Sequence, residues 1–239
     1  MATALVLSAG GMFAAWEVGA WKALQKRFRP DMIVGASAGA WNGWLIAGGC
    51  TPDDLIREWL RPENANIMRF GLHPAGVLHP EMLHQVSRKL FERFQPHIPF
   101  ALTLAQVPLL RPRLVRGPEV TWQHLAAACA IPFGFPPVRI ESKYYVDGGL
   151  LGAVPFWAAE EMGADYAIAL NALTTMPFRI LRAVLPRRRP SRSLKVMRVE
   201  PSQALGSLYN AVFWSRSNIE RWIEQGERDG NRATDLITM

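Results

Sequence analysis

Twice within the first fifty residues a short, apolar, β-rich run stops at glycine and gives way to a helical pattern. Thr3 to Ser8 is the first run; it ends at Gly10-Gly11, after which Phe13 to Phe28 reads as a helix. Met32 to Val34 is the second; it enters Gly35-Ala36-Ser37-Ala38-Gly39 and a helix to about Ala47. A strand handed directly to a helix must return by a crossover, so the repeated unit predicts an α/β fold with a mostly parallel sheet flanked by helices.

The remaining pattern agrees with that class. Thr51-Pro52-Asp53-Asp54 combines an N-cap residue, a first-turn proline and acids at the positive end of a helix dipole, so another helix starts there. Residues 61–100 read as helical. Extended segments follow at Leu102 to Val107 and Leu109 to Arg116, then a helix from Trp122 to Ala130. Val138 to Ile140 is expected to pair with Lys143 to Val146, and a helix from Phe156 to Met162 leads into a buried strand from Tyr166 to Leu170. Leu194 to Val199 alternates as a strand does, and Ser217-Asn218-Ile219-Glu220 reads as a capping box opening a terminal helix over residues 217–230. With 49% hydrophobic and 20% charged residues in 239, the chain is expected to form one domain over residues 1–239 and is far from the disordered regime.

Charge is concentrated. Arg179, Arg182, Arg187, Arg188, Arg189, Arg192, Lys195 and Arg198 fall between Tyr166 and Val199 with no acid among them. Without those eight, the 27 Lys and Arg fall to 19 against 20 Asp and Glu, so a local patch needs explaining and not a basic protein. Over residues 177–193 the arginines stand beside Phe178, Leu181 and Leu185, a mixture that suits an anionic membrane surface or a solvated loop. No aromatic-interleaved reading motif accompanies them, which argues against nucleic acid. Cys50 and Cys129 are too few for a disulfide scaffold, so a reducing, cytoplasmic setting is expected, with the patch as a peripheral membrane contact. No basic residue precedes Lys22, as a signal peptide would require, and the uncharged stretch from Met32 to Pro52 carries five glycines that suit a turn better than a membrane span.

Gly35-Ala36-Ser37-Ala38-Gly39 has the G-x-S-x-G form of a nucleophile elbow, in which small flanking residues let a strand turn abruptly into a helix and hold a serine hydroxyl out. A plain glycine turn is the competing reading. A serine nucleophile needs a base, but the five histidines all precede residue 125, which does not fit the late histidine of an α/β-hydrolase, and they read as ordinary surface or core side chains. Asp147, in Val146-Asp147-Gly148-Gly149 at the end of an expected strand, is the remaining candidate; Asp-Gly also suits a hairpin turn. Paired with the elbow, Asp147 reads as the partner of a Ser-Asp dyad. Gly10-Gly11 at a helix start can aim backbone N–H groups at an oxyanion or a phosphate, and the missing P-loop and dinucleotide spacings favour the oxyanion. Trp41 and Trp44 share the face of Ser37 on a regular helix, as lining of an acyl channel or, the better reading, as core. No metal or organic cofactor is expected, because neither a His/Cys ligand cluster nor a calcium loop is present.

These motifs together resemble the patatin-like phospholipase family. The resemblance runs from Leu5-Val6-Leu7-Ser8-Ala9-Gly10-Gly11 through the elbow and Ala130-Ile131-Pro132-Phe133-Gly134-Phe135-Pro136-Pro137-Val138 to Val146-Asp147-Gly148-Gly149, Pro155 and Gly163-Ala164-Asp165, covering residues 4–171. It implies a three-layer fold, Ser37 as nucleophile with Gly35 and Gly39 as its elbow, Asp147 with Gly148 and Gly149 as the aspartate turn, and Gly10, Gly11 and Met12 as oxyanion hole. It also implies a serine acyl hydrolase of lipid esters; an acyltransferase with the same dyad and a catalytically weak lipid binder are the alternatives. Two departures stand out: Ala9, Phe13 and Ala14 replace a glycine, a basic residue and a second glycine of the family's first loop, and Ala153 replaces an asparagine after the aspartate turn. Backbone donors survive these changes; an accessory positive charge does not.

Overall fold

In the computed structural model, which describes residues 1–73, 76–174 and 194–237, the chain forms a mixed sheet with helices packed on it. Strands β1 (Thr3–Leu7), β2 (Met32–Ala36), β5 (Phe100–Val107), β6 (Arg111–Arg116), β7 (Val138–Ile140), β8 (Lys143–Asp147), β9 (Tyr166–Leu170) and β10 (Lys195–Val199) make the main sheet. Its order is β10-β9-β1-β2-β5-β8-β7, with β6 paired to β5 off this path. The first five strands of that order run parallel, and β6, β7 and β8 are antiparallel additions. The central strands are continuous apolar runs, Ala4–Leu7 and Met32–Ala36 being buried throughout, as expected for a sheet covered on both faces.

The helices are α1 (Ala14–Leu24), α2 (Ala38–Ala47), α3 (Pro52–Trp59), α4 (Pro80–Arg93), α5 (Trp122–Ala128), α6 (Phe156–Glu161), α7 (Leu208–Val212) and α8 (Arg216–Ile237). On one face, Leu5, Leu7 and Ile33 meet Trp16, Trp44 and Trp222; on the other, Ala4, Val6 and Val34 meet Phe156 and Trp157 of α6. This is the period-two alternation of a strand, each face finding its own helix layer. Thr51 caps α3 as its sequence requires, its hydroxyl accepting from the Asp54 N–H at 3.1 Å.

Two readings of the sequence need correction. Residues 61–100 are not helical throughout: a hairpin of β3 (Phe70–His73) and β4 (Gly76–Leu78) precedes α4. It is held from outside, the Val77 and Leu78 N–H groups donating to the Phe133 and Gly134 carbonyls at 3.3 and 2.9 Å. The terminal helix neither starts at a Ser217 cap nor stops near Gly230. It runs from Arg216 to Ile237, and Glu220 pairs with Arg216 at 2.9 Å. Gly226 and Gly230 lie inside it because a Cβ there would stand 2.0 Å from the Trp16 carbonyl oxygen and 2.6 Å from that of Ala20; the glycines let α8 press onto α1. The basic patch over 177–193, with Arg179, Arg182, Arg187, Arg188, Arg189 and Arg192, lies outside the described residues. Among the described residues, no helix is long and apolar enough to cross a membrane.

Candidate active site

The register of β5 brings the two sequence candidates together. One edge of β5 is taken by β6 along Ala101 to Gln106. The other edge is shared: β2 pairs parallel up to Ala36 opposite Thr103, and β8 pairs antiparallel from Tyr144 opposite Val107 down to Asp147 opposite Leu104. The two strands therefore run toward each other along one edge and end on adjacent residues of β5. Ser37 follows the end of the first, and Asp147 is the end of the second.

At that junction the chain turns sharply. Ser37 has φ 54° and ψ −134°, a conformation that L-residues avoid, and α2 begins at the next residue. The turn is this tight because the flanking residues have no side chains. A Cβ on Gly35 would lie 2.4 Å from the Gly39 carbonyl oxygen, and one on Gly39 would lie 2.4 Å from that of Ser8. A strained serine between a strand and a helix is the geometry that a nucleophile elbow requires.

Asp147 is 6% exposed, and the Ser37 hydroxyl donates a hydrogen bond to its carboxylate. Its Oδ1 also accepts from the Gly149 N–H at 2.7 Å, in a short 3-10 turn over Gly148–Leu150 that is not a hairpin. Burial pushes the Asp147 carboxyl up from 3.8 to about 6, against the pull of the bonds from Ser37 and Gly149. Gly149 packs on the first loop, where its missing Cβ would stand 2.5 Å from the Ala9 Cβ. Cys129, at the end of α5, is driven well above the ordinary thiol range by burial and by the Asp147 charge, which leaves it a poor nucleophile.

The first loop turns through Gly10 and Gly11 into a 3-10 turn over Gly11–Phe13. Gly11 has φ 54°, and the opening N–H groups of such a turn have no partner within it. Gly11 and Met12 line the same cavity as Ser37. Phe13, where the family carries a basic residue, points instead into the core and meets Trp222 edge-on with centroids 5.0 Å apart.

The cavity holds about 790 Å³, within the usual range for small-molecule sites. Its walls are mostly apolar: Met12, Trp41, Leu45, Leu83, Ile131 and Phe135 contribute, and none of its lining residues is a histidine. Trp41 reaches it while donating to the Leu125 carbonyl at 2.9 Å. Trp44 does not; it is core, stacked on Phe91 and edge-on to Phe100. Charged groups join the lining at Glu58, which binds both Arg61 and Arg93, and at Glu63, Lys89 and Glu92. His84 packs on Trp122, and His124 bonds Thr121 at the start of α5; burial lowers both imidazoles' pKa. Among the described residues, no group of three His, Cys, Asp or Glu is gathered to hold a metal ion.

One residue of the site region escaped sequence reasoning. Glu17 on α1 is 1% exposed, and its Oε1 accepts from the Ser8 N–H at 2.8 Å and the Ser8 hydroxyl at 3.0 Å. Its Oε2 accepts from the Asn42 amide at 3.1 Å, and Asn42 in turn accepts from the Trp59 indole at 2.8 Å. Burial raises the Glu17 carboxyl from 4.5 to about 8, with these bonds opposing. The carboxyl thus ties the strand entering the first loop to the helix leaving the elbow and to α3. Only its position as a lone acid in an apolar helix signalled it.

The chain is similar to proteins already known. The profile described as Patatin-like phospholipase matches residues 5–160. Lysophospholipase nte1 of Aspergillus terreus is 26% identical over 183 residues, 70% of this chain and 12% of that protein. An NTE family protein of Mycobacterium bovis is 27% identical over 177 residues, 70% of this chain and 48% of that protein. The chain thus spans about half, or far less, of the length of these relatives. The crystal structure of VipD from Legionella pneumophila matches it with a TM-score of 0.54 at 12% identity, covering 98% of this chain and 67% of that one, a likeness of fold.

Proposed function

The chain belongs to the patatin-like phospholipase family, and on that premise we propose that it is a serine acyl hydrolase of lipid esters, acting on phospholipids or related glycerolipids through a Ser37-Asp147 dyad. One observation carries the reading: a strained serine whose hydroxyl is bonded to a buried carboxylate opens onto a large apolar cavity beside a glycine turn. The acyl chain occupies the cavity. Ser37 Oγ attacks the ester carbonyl carbon while Asp147 takes the hydroxyl proton, and the carbonyl oxygen, now anionic, accepts from the Gly11 and Met12 N–H groups. The tetrahedral adduct collapses, the C–O bond to the alcohol breaks, and that alcohol leaves with the proton from Asp147. Water then gives a proton to Asp147 and attacks the acyl-serine; the fatty acid departs and Ser37 regains its proton.

A carboxylate with an ordinary pKa is a weak base at neutral pH. Burial makes Asp147 a stronger one that is still ionised at pH 7. With Phe13 in place of a cation, charge stabilisation falls to backbone donors alone, which suits modest turnover. The test is release of free fatty acid from phosphatidylcholine and lysophosphatidylcholine by the purified protein, by Ser37→Ala and by Asp147→Asn, with and without an added lysolipid acceptor. Release by the wild type alone supports hydrolysis. Transfer of the acyl group to the acceptor in preference to water would make the enzyme an acyltransferase, and no turnover of any ester by folded wild-type protein would overturn the assignment.

A further inference from the structure

Nine large hydrophobic side chains are exposed among the described residues, and two of them, Met1 and Leu236, lie near the chain ends. The other seven fall on elements that touch one another. Phe70 (67% exposed) and Val77 (57%) are on the β3–β4 hairpin, and Phe133 (90%) is on the loop to which Val77 hydrogen bonds. Leu208 and Tyr209 (67%) are on α7, joined to the hairpin through Phe213, whose ring stands 4.6 Å from that of Tyr209 and 6.1 Å from that of Phe70. Beyond Phe133, a groove lined by Val77, Phe133, Pro108 and Leu110 continues to Leu109 at the β5–β6 turn, and Tyr144 pairs with Val107 there. An apolar strip of this extent is unusual on a monomeric protein and marks a surface that meets something apolar.

Charge indicates what that partner is. The six segments that form the strip, residues 67–73, 76–79, 104–116, 129–140, 143–146 and 203–216, contain no Asp or Glu. They do contain seven basic residues, among them Arg69 directly before Phe70, Arg111 directly after Leu109-Leu110, and Lys143 directly before Tyr144, all three exposed. Acids stand just outside those segments: Glu81 lies 3.3 Å from His79, Glu119 pairs with Arg113 and Glu220 with Arg216, Glu141 is at the β7–β8 turn, Glu200 lies three residues before 203, and Asp147 is buried in the candidate site. Aromatic and aliphatic side chains on segments whose own charges are all basic, with Arg69, Arg111 and Lys143 exposed among them, match the boundary of a bilayer, where acyl chains lie beneath phosphate groups. A protein partner or a second copy gives no reason for segments of one sign.

The strip also adjoins the cavity. Met68 and Phe135 line the cavity, two residues from Phe70 and Phe133 respectively. On the α7 side, a Cβ on Gly11 would stand 2.3 Å from the Ala211 carbonyl oxygen, so α7 lies directly on the oxyanion turn.

We propose that this strip is a bilayer-docking face: Phe70, Val77, Phe133, Leu208 and Tyr209 enter the headgroup boundary, the flanking basic residues meet lipid phosphate, and a lipid passes from the bilayer into the cavity along apolar surface. The last step rests on the lipid-ester reading of the site; docking itself does not. This face is separate in sequence from the basic stretch at 177–193 and differs in chemistry, because apolar insertion resists salt whereas purely electrostatic attraction is screened.

The experiment separates docking from catalysis. In the Ser37→Ala background, binding to vesicles of phosphatidylcholine, with and without phosphatidylglycerol, is measured by co-sedimentation at low and high salt. The triple change Phe133→Asn, Leu208→Gln and Tyr209→Gln removes exposed side chains only, and asparagine tolerates the positive φ of 65° at residue 133. Binding to pure phosphatidylcholine is expected to be nearly independent of salt and to fall at least about tenfold in the triple variant, given the apolar area withdrawn from the membrane. Phe133→Asn alone, remote from the oxyanion turn in sequence, should give part of that loss. With Ser37 restored, hydrolysis of vesicle lipid should fall in parallel while a soluble short-chain ester is turned over as before. Undiminished vesicle binding by the triple variant overturns the proposal, as does a wild-type dimer that the triple change converts to monomer without affecting vesicle binding. If no form turns over either ester, the catalytic reading fails and the sedimentation result still decides the docking face.

Discussion

Asp147 gives the proposed dyad a pH signature that a histidine-based site would not share. Its carboxyl is raised from 3.8 to about 6 by burial, and a base must be ionised to accept the Ser37 proton. About nine tenths of it is ionised at pH 7 and about a tenth at pH 5, so kcat/KM should fall about tenfold per pH unit below 6 and level off above 7. The same displacement bears on stability. The folded state holds the proton more tightly than the unfolded chain, so the stability this group contributes is fully present below pH 3.8 and is lost as pH rises through about 6. At about 1.4 kcal/mol per pKa unit the whole cost is about 3 kcal/mol, an upper figure for what Asp147→Asn recovers above pH 7 while losing about 10²–10⁴ in rate. The assay is kcat/KM for a soluble short-chain ester from pH 4 to 9 at constant ionic strength, with urea unfolding of wild type and Asp147→Asn at both ends of that range. An acid limb near pH 4, or one near 7 that disappears in His84→Gln or His124→Gln, would refute the argument. So would an Asn variant no more stable than wild type at high pH.

Two further outcomes follow from the packing around the dyad. Glu17→Leu leaves the Ser8 hydroxyl and one Asn42 amide hydrogen without their buried acceptor, while the Ser8 N–H keeps the Leu170 carbonyl and Asn42 keeps that of Ala14; it should cost about 1–3 kcal/mol in chemical denaturation, with activity lost as the first loop and α2 loosen from each other. Gly39→Ala forces a Cβ toward the Ser8 carbonyl oxygen, 2.4 Å away, and should destabilise by about 1–3 kcal/mol with a larger loss in kcat than in KM, checked by steady-state kinetics on folded protein.

Residues whose placement is declared by their immediate neighbours were legible in the sequence. Ser37 announces itself because only glycine fits at Gly35 and Gly39 in so tight a turn, and Asp147 because Gly148 and Gly149 must approach Thr103 and Ala9. That the two meet could not be seen locally, since it depends on β2 and β8 ending head to head on β5. Glu17 was illegible for a similar reason: its partners lie 9 and 25 residues away and only the fold brings them to it. The β3–β4 hairpin is supported by the loop at Phe133 and Gly134, so its own short sequence says little. Gly230 looks like a helix stop and is not one, because its lack of a side chain serves the contact with α1.

The dyad itself is tested most directly by an active-site-directed fluorophosphonate, followed by intact mass and mapping of the tryptic peptide spanning residues 28–57. The account predicts a single adduct on Ser37, absent in Ser37→Ala and formed far more slowly in Asp147→Asn. An adduct on any other residue, or ester hydrolysis that persists in Ser37→Ala, would contradict it.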